Sequence, residues 1–213
     1  MTPGVAFFYG GGVGNKNVIG TMFQSFVTMG IVSVLWVWIG FSLAFGKDAN
    51  GSGVMGYPAT YYLYNNVGAS EDDGNLSGIV PITVFSMFQL MFAIVTAALI
   101  AGSLAERIDF HAWMIFVCFW HLLVYCPLTH IVWHPQGALY KWGYIDFAGG
   151  IPVEMASGYS ALAASWFIGP RKQNTRSQSP ANIPFIMLGT AIFWFGWVSF
   201  TTHKILSRGS YLN

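Results

Sequence analysis

The sequence predicts an all-α protein that crosses a lipid bilayer several times. Three observations carry that reading. The 213 residues are 54% hydrophobic and only 8% charged, where soluble domains carry about 25% charged residues, and so few charges cannot cover a soluble surface of this size. The charges also leave long gaps, from Lys16 to Lys47, Asp73 to Glu106, Asp109 to Lys141 and Arg176 to Lys204, each longer than the ~20 residues a helix needs to span a bilayer. Finally, the apolar runs lack the period-two alternation of an outer-membrane barrel, and a bilayer core leaves helices as the remaining way to satisfy the backbone.

In chain order, a short helix is expected over Met1–Gly12, and a full span over 18–45. A polar, Gly- and Tyr-rich loop follows over 46–77, reading as an irregular cap. Further spans are expected over 79–104, 111–133, 145–168 and 183–202, the last preceded by a loop over 169–182, so that about five full spans accompany one stub. The stub reads as the end of a spanning helix whose start is missing, or as a short re-entrant helix. It lacks the basic start and long apolar stretch of a signal peptide. With alternating spans, one side collects Lys16, Arg107, Arg171, Lys172 and Arg176, and the other Lys47 and Lys141. The excess of basic residues places the first set in the cytoplasm. The 46–77 loop, with Asp48, Glu71, Asp72, Asp73 and the sequons Asn50-Gly-Ser52 and Asn75-Leu-Ser77, then faces outward. The membrane in question is expected to be the plasma membrane.

Two carboxylates fall in the fifth predicted helix, 145–168. Asp146 lies at its outer end, just before Gly149 and Gly150. It reads either as a cap accepting backbone N–H bonds or as part of a cation-attracting vestibule, and the two roles are compatible. Glu154 lies about two turns deeper, beyond capping reach, where a buried acid marks a pathway or a structural hydrogen bond. Nine Trp and eighteen Phe mostly mean lipid contact, belts and packing. That is the default for Trp133, Phe92 and Phe200. Cys118 and Cys126 are too few for a disulfide framework or a four-ligand metal site and read as packing residues. The histidines lack zinc-ligand spacing. A net charge of +1 offers no field for nucleic acid, and no cofactor signature is present.

Several stretches together resemble the Amt/Mep/Rh ammonium transporter family, in its Amt/Mep branch. They are Pro-Gly-Val-Ala-Phe-Phe-Tyr-Gly-Gly-Gly with Asn-Lys-Asn-Val (3–18), Phe-Gln-Leu-Met-Phe-Ala (88–93), Gly-Ser-Leu-Ala-Glu-Arg-Ile (102–108), Pro-Leu-Thr-His-Ile-Val-Trp (127–133), Asp-Phe-Ala-Gly-Gly (146–150) and Trp-Phe-Gly-Trp-Val-Ser-Phe (194–200). The resemblance implies a homotrimer with a pore in each subunit and about eleven spans in two inverted repeats. Of these, residues 1–200 would supply a partial transporter domain: the first repeat and the start of the second. Trp133 matches the tryptophan of an outer site that recruits ammonium by cation–π attraction, and Asp146 the aspartate that supports that site. Phe92 and Phe200 match the phenylalanines gating the pore. Glu154 stands where the family usually has the first histidine of a pore-lining pair, as in a fungal subset. The implied function is transmembrane passage of ammonium or ammonia: recruitment, deprotonation and passage through an apolar lumen.

After Phe200 the family pattern stops. Lys204 falls about where a recruitment-site serine belongs, so 201–213 reads as a non-homologous tail, and the second repeat and second histidine are not in the sequence. Two other readings stand beside a transporter piece. One is a non-conducting subunit that joins or regulates trimers of full-length relatives. The other is an intramembrane serine hydrolase using Ser157-Gly-Tyr-Ser160, which lacks a base at credible spacing.

Overall fold

The computed structural model describes residues 1–69, 76–77, 80–170 and 179–208, with side chains described only as far as residue 198. Helix α1 is Thr2–Gly12. Helix α2 opens with a tight turn at Asn15–Asn17, runs over Val18–Leu35, widens at Trp36–Gly40 into a π-type turn, and ends with Phe41–Phe45. Helix α3 is Ile82–Leu104. Helix α4 runs over Phe110–Trp120, widens at His121–Tyr125, and finishes with Cys126–Trp133. A single turn, α5, covers Ala138–Lys141. Helix α6 begins with a wide turn at Gly150–Met155 and continues over Ala156–Ile168, and α7 is Ile183–Arg208. The described residues contain no strand, only an isolated antiparallel bridge between Asp48 and Gly56.

The expected helices are all present, with shifted ends. The fifth predicted helix starts at Gly150 rather than Ile145, because Asp146 caps the chain there and Gly149 takes a left-handed φ of 92°. The third starts at Ile82 rather than Ile79, and the last continues to Arg208. Among the described residues three stretches are long and apolar enough to cross a membrane: Asn15–Phe45, Ile82–Leu104 and Phe110–Lys141. A shorter apolar helix is Ile183–Val198 among the described residues. Helix α6 is diluted by Pro152, Glu154, Ser157, Gly158 and Ser160. The calls on Glu71, Asp72, Asp73, Asn75, Arg171, Lys172 and Arg176 lie outside the described residues.

The chain forms two compact units. The first comprises Met1–Met29, Ala98–Met114 and Ser157–Asn213. In it α1 crosses α7 at glycines: a Cβ on Gly4 would lie 2.6 Å from the Phe193 nitrogen, and one on Gly189 2.4 Å from the Phe8 nitrogen. Small residues that let backbones meet are the usual cement of helix pairs in lipid. Tyr9 lies over Gly102 and donates to the Leu99 carbonyl at 2.9 Å. Glu106, with φ of 66°, accepts from Gly14 N–H at 2.8 Å and Asn17 Nδ2 at 3.0 Å. Two of the quoted motifs, 3–18 and 102–108, are thereby joined by a glycine seat, a phenol and a carboxylate.

The second unit comprises Gly30–Ala97 and Ile115–Ala156. All three wide turns lie in it. Pro127 explains the one in α4, since its ring crowds the carbonyl four residues back and its missing N–H breaks the helical ladder; Pro152 lies in the first turn of α6, where its missing N–H costs no ladder bond. The turns of α2 and α4 meet: His121 stands 5.9 Å from Trp36, centroid to centroid, and a Cβ on Gly40 would come within 2.8 Å of His121 Nε2. Trp36 donates to Ser86 Oγ at 3.1 Å, linking α2 to α3. Trp36, Phe41, Phe45 and Phe85 form the aromatic core. Tyr64, from the loop, shares a 2.8 Å hydrogen bond with Ser86 Oγ, and burial pushes its phenol above the usual range.

Candidate functional site

Four of the five sequence-derived site residues fall in the second unit, and three of them touch. Trp133 ends α4. Its ring meets Phe92 of α3 at 5.4 Å between centroids and 81° between planes, the edge-to-face arrangement that ring quadrupoles favour. Phe92 is buried and packs in turn on Phe88 at 4.9 Å. The indole N–H of Trp133 donates to the Asp146 carbonyl at 3.1 Å. This in-plane hydrogen bond, with the Phe92 contact, fixes the orientation of the indole, a ring whose face can attract a cation.

Asp146 does not sit within α6, as the sequence reading placed it, but just ahead of it. Its carboxylate accepts three backbone N–H groups: Gly149 at 2.6 Å and Gly150 at 2.9 Å on Oδ1, and Ile151 at 2.7 Å on Oδ2. These are donors that a helix start leaves without partners, and the negative charge also complements the helix dipole. The capping reading is therefore realised in full, and the same geometry sets the Asp146 carbonyl against Trp133. Gly149 is required twice over. Its φ is left-handed, and a Cβ there would lie 2.7 Å from Val153 Cγ2 and 3.3 Å from Trp133 Cζ2.

Glu154 lies on the wide turn of α6, its N–H bonded to the Gly149 carbonyl at 3.0 Å and its side chain exposed. It belongs to the same cap-and-turn unit as Asp146. Phe200 is in α7, but its side chain lies outside the described residues. In the second unit the aromatic partner of Phe92 besides Trp133 is Phe88, which the sequence reading quoted in a motif without giving it a role.

Sequence reasoning missed a buried polar cluster on the other side of the α4 terminus. His130 and His134 stack in parallel at 4.4 Å and 13°. His130 Nδ1 meets the Ala44 carbonyl at 3.1 Å, and Nε2 lies 3.4 Å from Asp48 Oδ1. His134 Nδ1 accepts from Gln136 N–H, and Gln136 Oε1 accepts from Asp48 N–H. The i, i+4 spacing of the two histidines on a predicted helix was the available signal; the pairing with Asp48 is long-range and had none. Among the described residues no group of His, Cys, Asp and Glu has metal-site geometry. Cys126 is buried and Cys118 half-buried, both as free thiols.

With this geometry in hand, comparison with known proteins is direct. The profile described as Ammonium Transporter Family matches residues 1–207. The chain is 42% identical over 207 residues to the ammonium transporter of Bacillus subtilis, covering 97% of this chain and 49% of that protein. It is 34% identical over 208 residues to the ammonium transporter MEP3 of Saccharomyces cerevisiae, covering 97% and 42% respectively. The fold superposes on the crystal structure of Saccharomyces cerevisiae Mep2 with a TM-score of 0.84 at 30% identity, over 95% of this chain and 45% of that one. For Candida albicans Mep2 the values are 0.83 and 33%, over 95% and 44%. The chain thus spans about half the length of the curated relatives it matches.

Proposed function

The chain belongs to the ammonium transporter family, and from that premise we propose that it serves transmembrane transport of ammonium or ammonia, with the Trp133 ring as the outer face that receives the cation. The reading rests on one observation: Trp133, Phe92 and Asp146 are brought together, ring on ring at 5.4 Å and indole N–H on the Asp146 carbonyl at 3.1 Å, the same three residues the family resemblance assigns to recruitment and gating. Ammonium is costly to strip of water, and a ring quadrupole with a nearby carboxylate replaces part of that hydration. Below, the phenylalanines Phe92 and Phe200 gate an apolar lumen that disfavours the cation, so the proton parts from ammonia there. Glu154 is the ionisable group that takes it. The functional unit is a homotrimer in the plasma membrane, with the 46–69 segment on the outer side. The curated relatives are transporters, not enzymes, and Ser157 and Ser160 take no catalytic part.

The test is uptake of labelled ammonium by cells that lack their own transporters and express this protein. Trp133→Leu should raise the half-saturating concentration about tenfold, the loss of one modest cation–π contact, and Glu154→Gln should flatten the pH dependence. Uptake by the wild type that neither substitution alters would overturn the assignment.

A further inference from the structure

We propose that Asp48 and His130 form a proton-holding latch that fastens the outer loop to the end of α4 and so positions Trp133; this deepens the transport reading and rests on it. The argument is one of donors and acceptors. His130 Nδ1 faces the Ala44 carbonyl at 3.1 Å. A carbonyl only accepts, so Nδ1 carries the hydrogen. Nε2 then faces Asp48 Oδ1 at 3.4 Å, with both side chains buried, 0% and 5% exposed. A neutral imidazole in this tautomer offers a lone pair to Asp48, and an ionised carboxylate also only accepts. Two buried acceptors cannot face each other without cost. One additional proton resolves the conflict, lying between Nε2 and the carboxylate.

The groups facing His130 are few. From the loop comes Asp48 and from α4 the stacked His134, whose Nδ1 accepts the Gln136 N–H and is therefore unprotonated; α5 contributes the field of Lys141. The adjoining end of α2, Phe41–Phe45, has no titratable side chain. Asp48 ties the rest of the loop to this pair. Its Oδ1 accepts Gly53 N–H at 2.9 Å, its N–H donates to Gln136 Oε1 at 2.8 Å, and the Gly53 carbonyl accepts Ala138 N–H at 2.9 Å. Loop, α4 terminus and α5 are thus knotted around one shared proton. Trp133 lies between His130 and His134 in sequence, on the helix end that the latch anchors, and its indole N–H is held by the Asp146 carbonyl. Asp48 and His130 are positioning residues: they act on ammonium through Trp133.

The experiment is hydrogen–deuterium exchange of the intact chain in lipid nanodiscs, reading segment 46–57 from acidic to alkaline pH after correction for intrinsic exchange. The Trp133 indole N–H and the histidine nitrogens are followed by NMR on the same samples. In the wild type, protection of 46–57 should fall about tenfold or more as the pair loses its proton. Asp48→Ala should remove that protection at every pH and shift the Trp133 resonance. Asp48→Asn should keep part of the protection, now independent of pH, because the introduced amide nitrogen donates to Nε2 without an added proton while giving up the Gly53 N–H bond that Oδ1 accepts. A wild type and Asp48→Asn with the same pH slope, or a His130 Nε2 that stays a bare lone pair in the wild type, would overturn the latch; this comparison decides the matter even if Asp48→Ala does not fold. Ammonium binding, read by ¹⁵N-ammonium NMR, tests the transport reading separately. A pH-dependent latch without ammonium binding supports the latch and sinks the transport reading, and binding without the latch does the reverse.

Discussion

Asp146 shows how a single side chain joins stability to site geometry. Three N–H groups converge on its carboxylate while its carbonyl holds Trp133. Asp146→Ala should therefore destabilise the protein by about 1–2 kcal/mol, as for loss of a strong helix cap, with Asp146→Asn at a fraction of that because the amide oxygen still accepts. Thermal unfolding in detergent measures the first effect, and the Trp133 indole resonance reports the second. Asp109 does the same for α4 in a wholly exposed setting. The His111 N–H donates to its Oδ2 at 2.8 Å and holds its carboxyl below the usual range. A depressed carboxylate stabilises the fold above its unfolded pKa, and that stabilisation is lost as pH falls through the folded value. The difference in melting temperature between wild type and Asp109→Ala should thus be present at neutral pH and vanish in acid. Asp146 was legible in the sequence as a candidate cap at the outer end of an apolar run, whereas Asp109 marked only the edge of a charge gap. The partnership of Asp48 with His130 was not, because a pair 82 positions apart leaves no mark on local composition or period.

Among elements, the α1–α7 crossing is the most demanding. Gly4 and Gly189 bring two backbones together with no room for a methyl group. Gly189→Ala should cost about 1–3 kcal/mol, the range for overpacking, because the clash is with backbone atoms that cannot rotate away. Gly20→Ala, where nothing lies within 4 Å, should be neutral or stabilising by up to about 1 kcal/mol through better helix propensity. Chemical denaturation of the two variants separates packing from propensity. The helices themselves were readable from charge gaps and apolar length. The late start of α6 was hidden because Ile145, Phe147 and Ala148 are as apolar as the helix that follows, and only a left-handed Gly149 separates them. The wide turns were hidden too, since a run that is apolar on every side carries no periodicity to be interrupted.

For the whole molecule, the charge distribution of the sequence predicts a sided topology; the described basic residues Lys16 and Arg107 belong to the first compact unit and Lys47 and Lys141 to the second. With the 46–69 segment outside, Ser52→Cys should react with a membrane-impermeant maleimide on intact cells, and Lys16→Cys only after permeabilisation; the opposite pattern would invert the orientation. The wide turns at Trp36–Gly40, His121–Tyr125 and Gly150–Met155 have a consequence for all such engineering. Each accommodates one residue more than an ordinary helical turn, and one residue corresponds to about 100° of rotation. In α2 and α4, where the turn lies inside the helix, the stripes of side chains before and after it are therefore out of phase. Excising one residue from the α4 turn would swing Trp133, His130 and His134 around the helix axis together, turning the indole from Phe92 and the imidazoles from Asp48 in a single stroke.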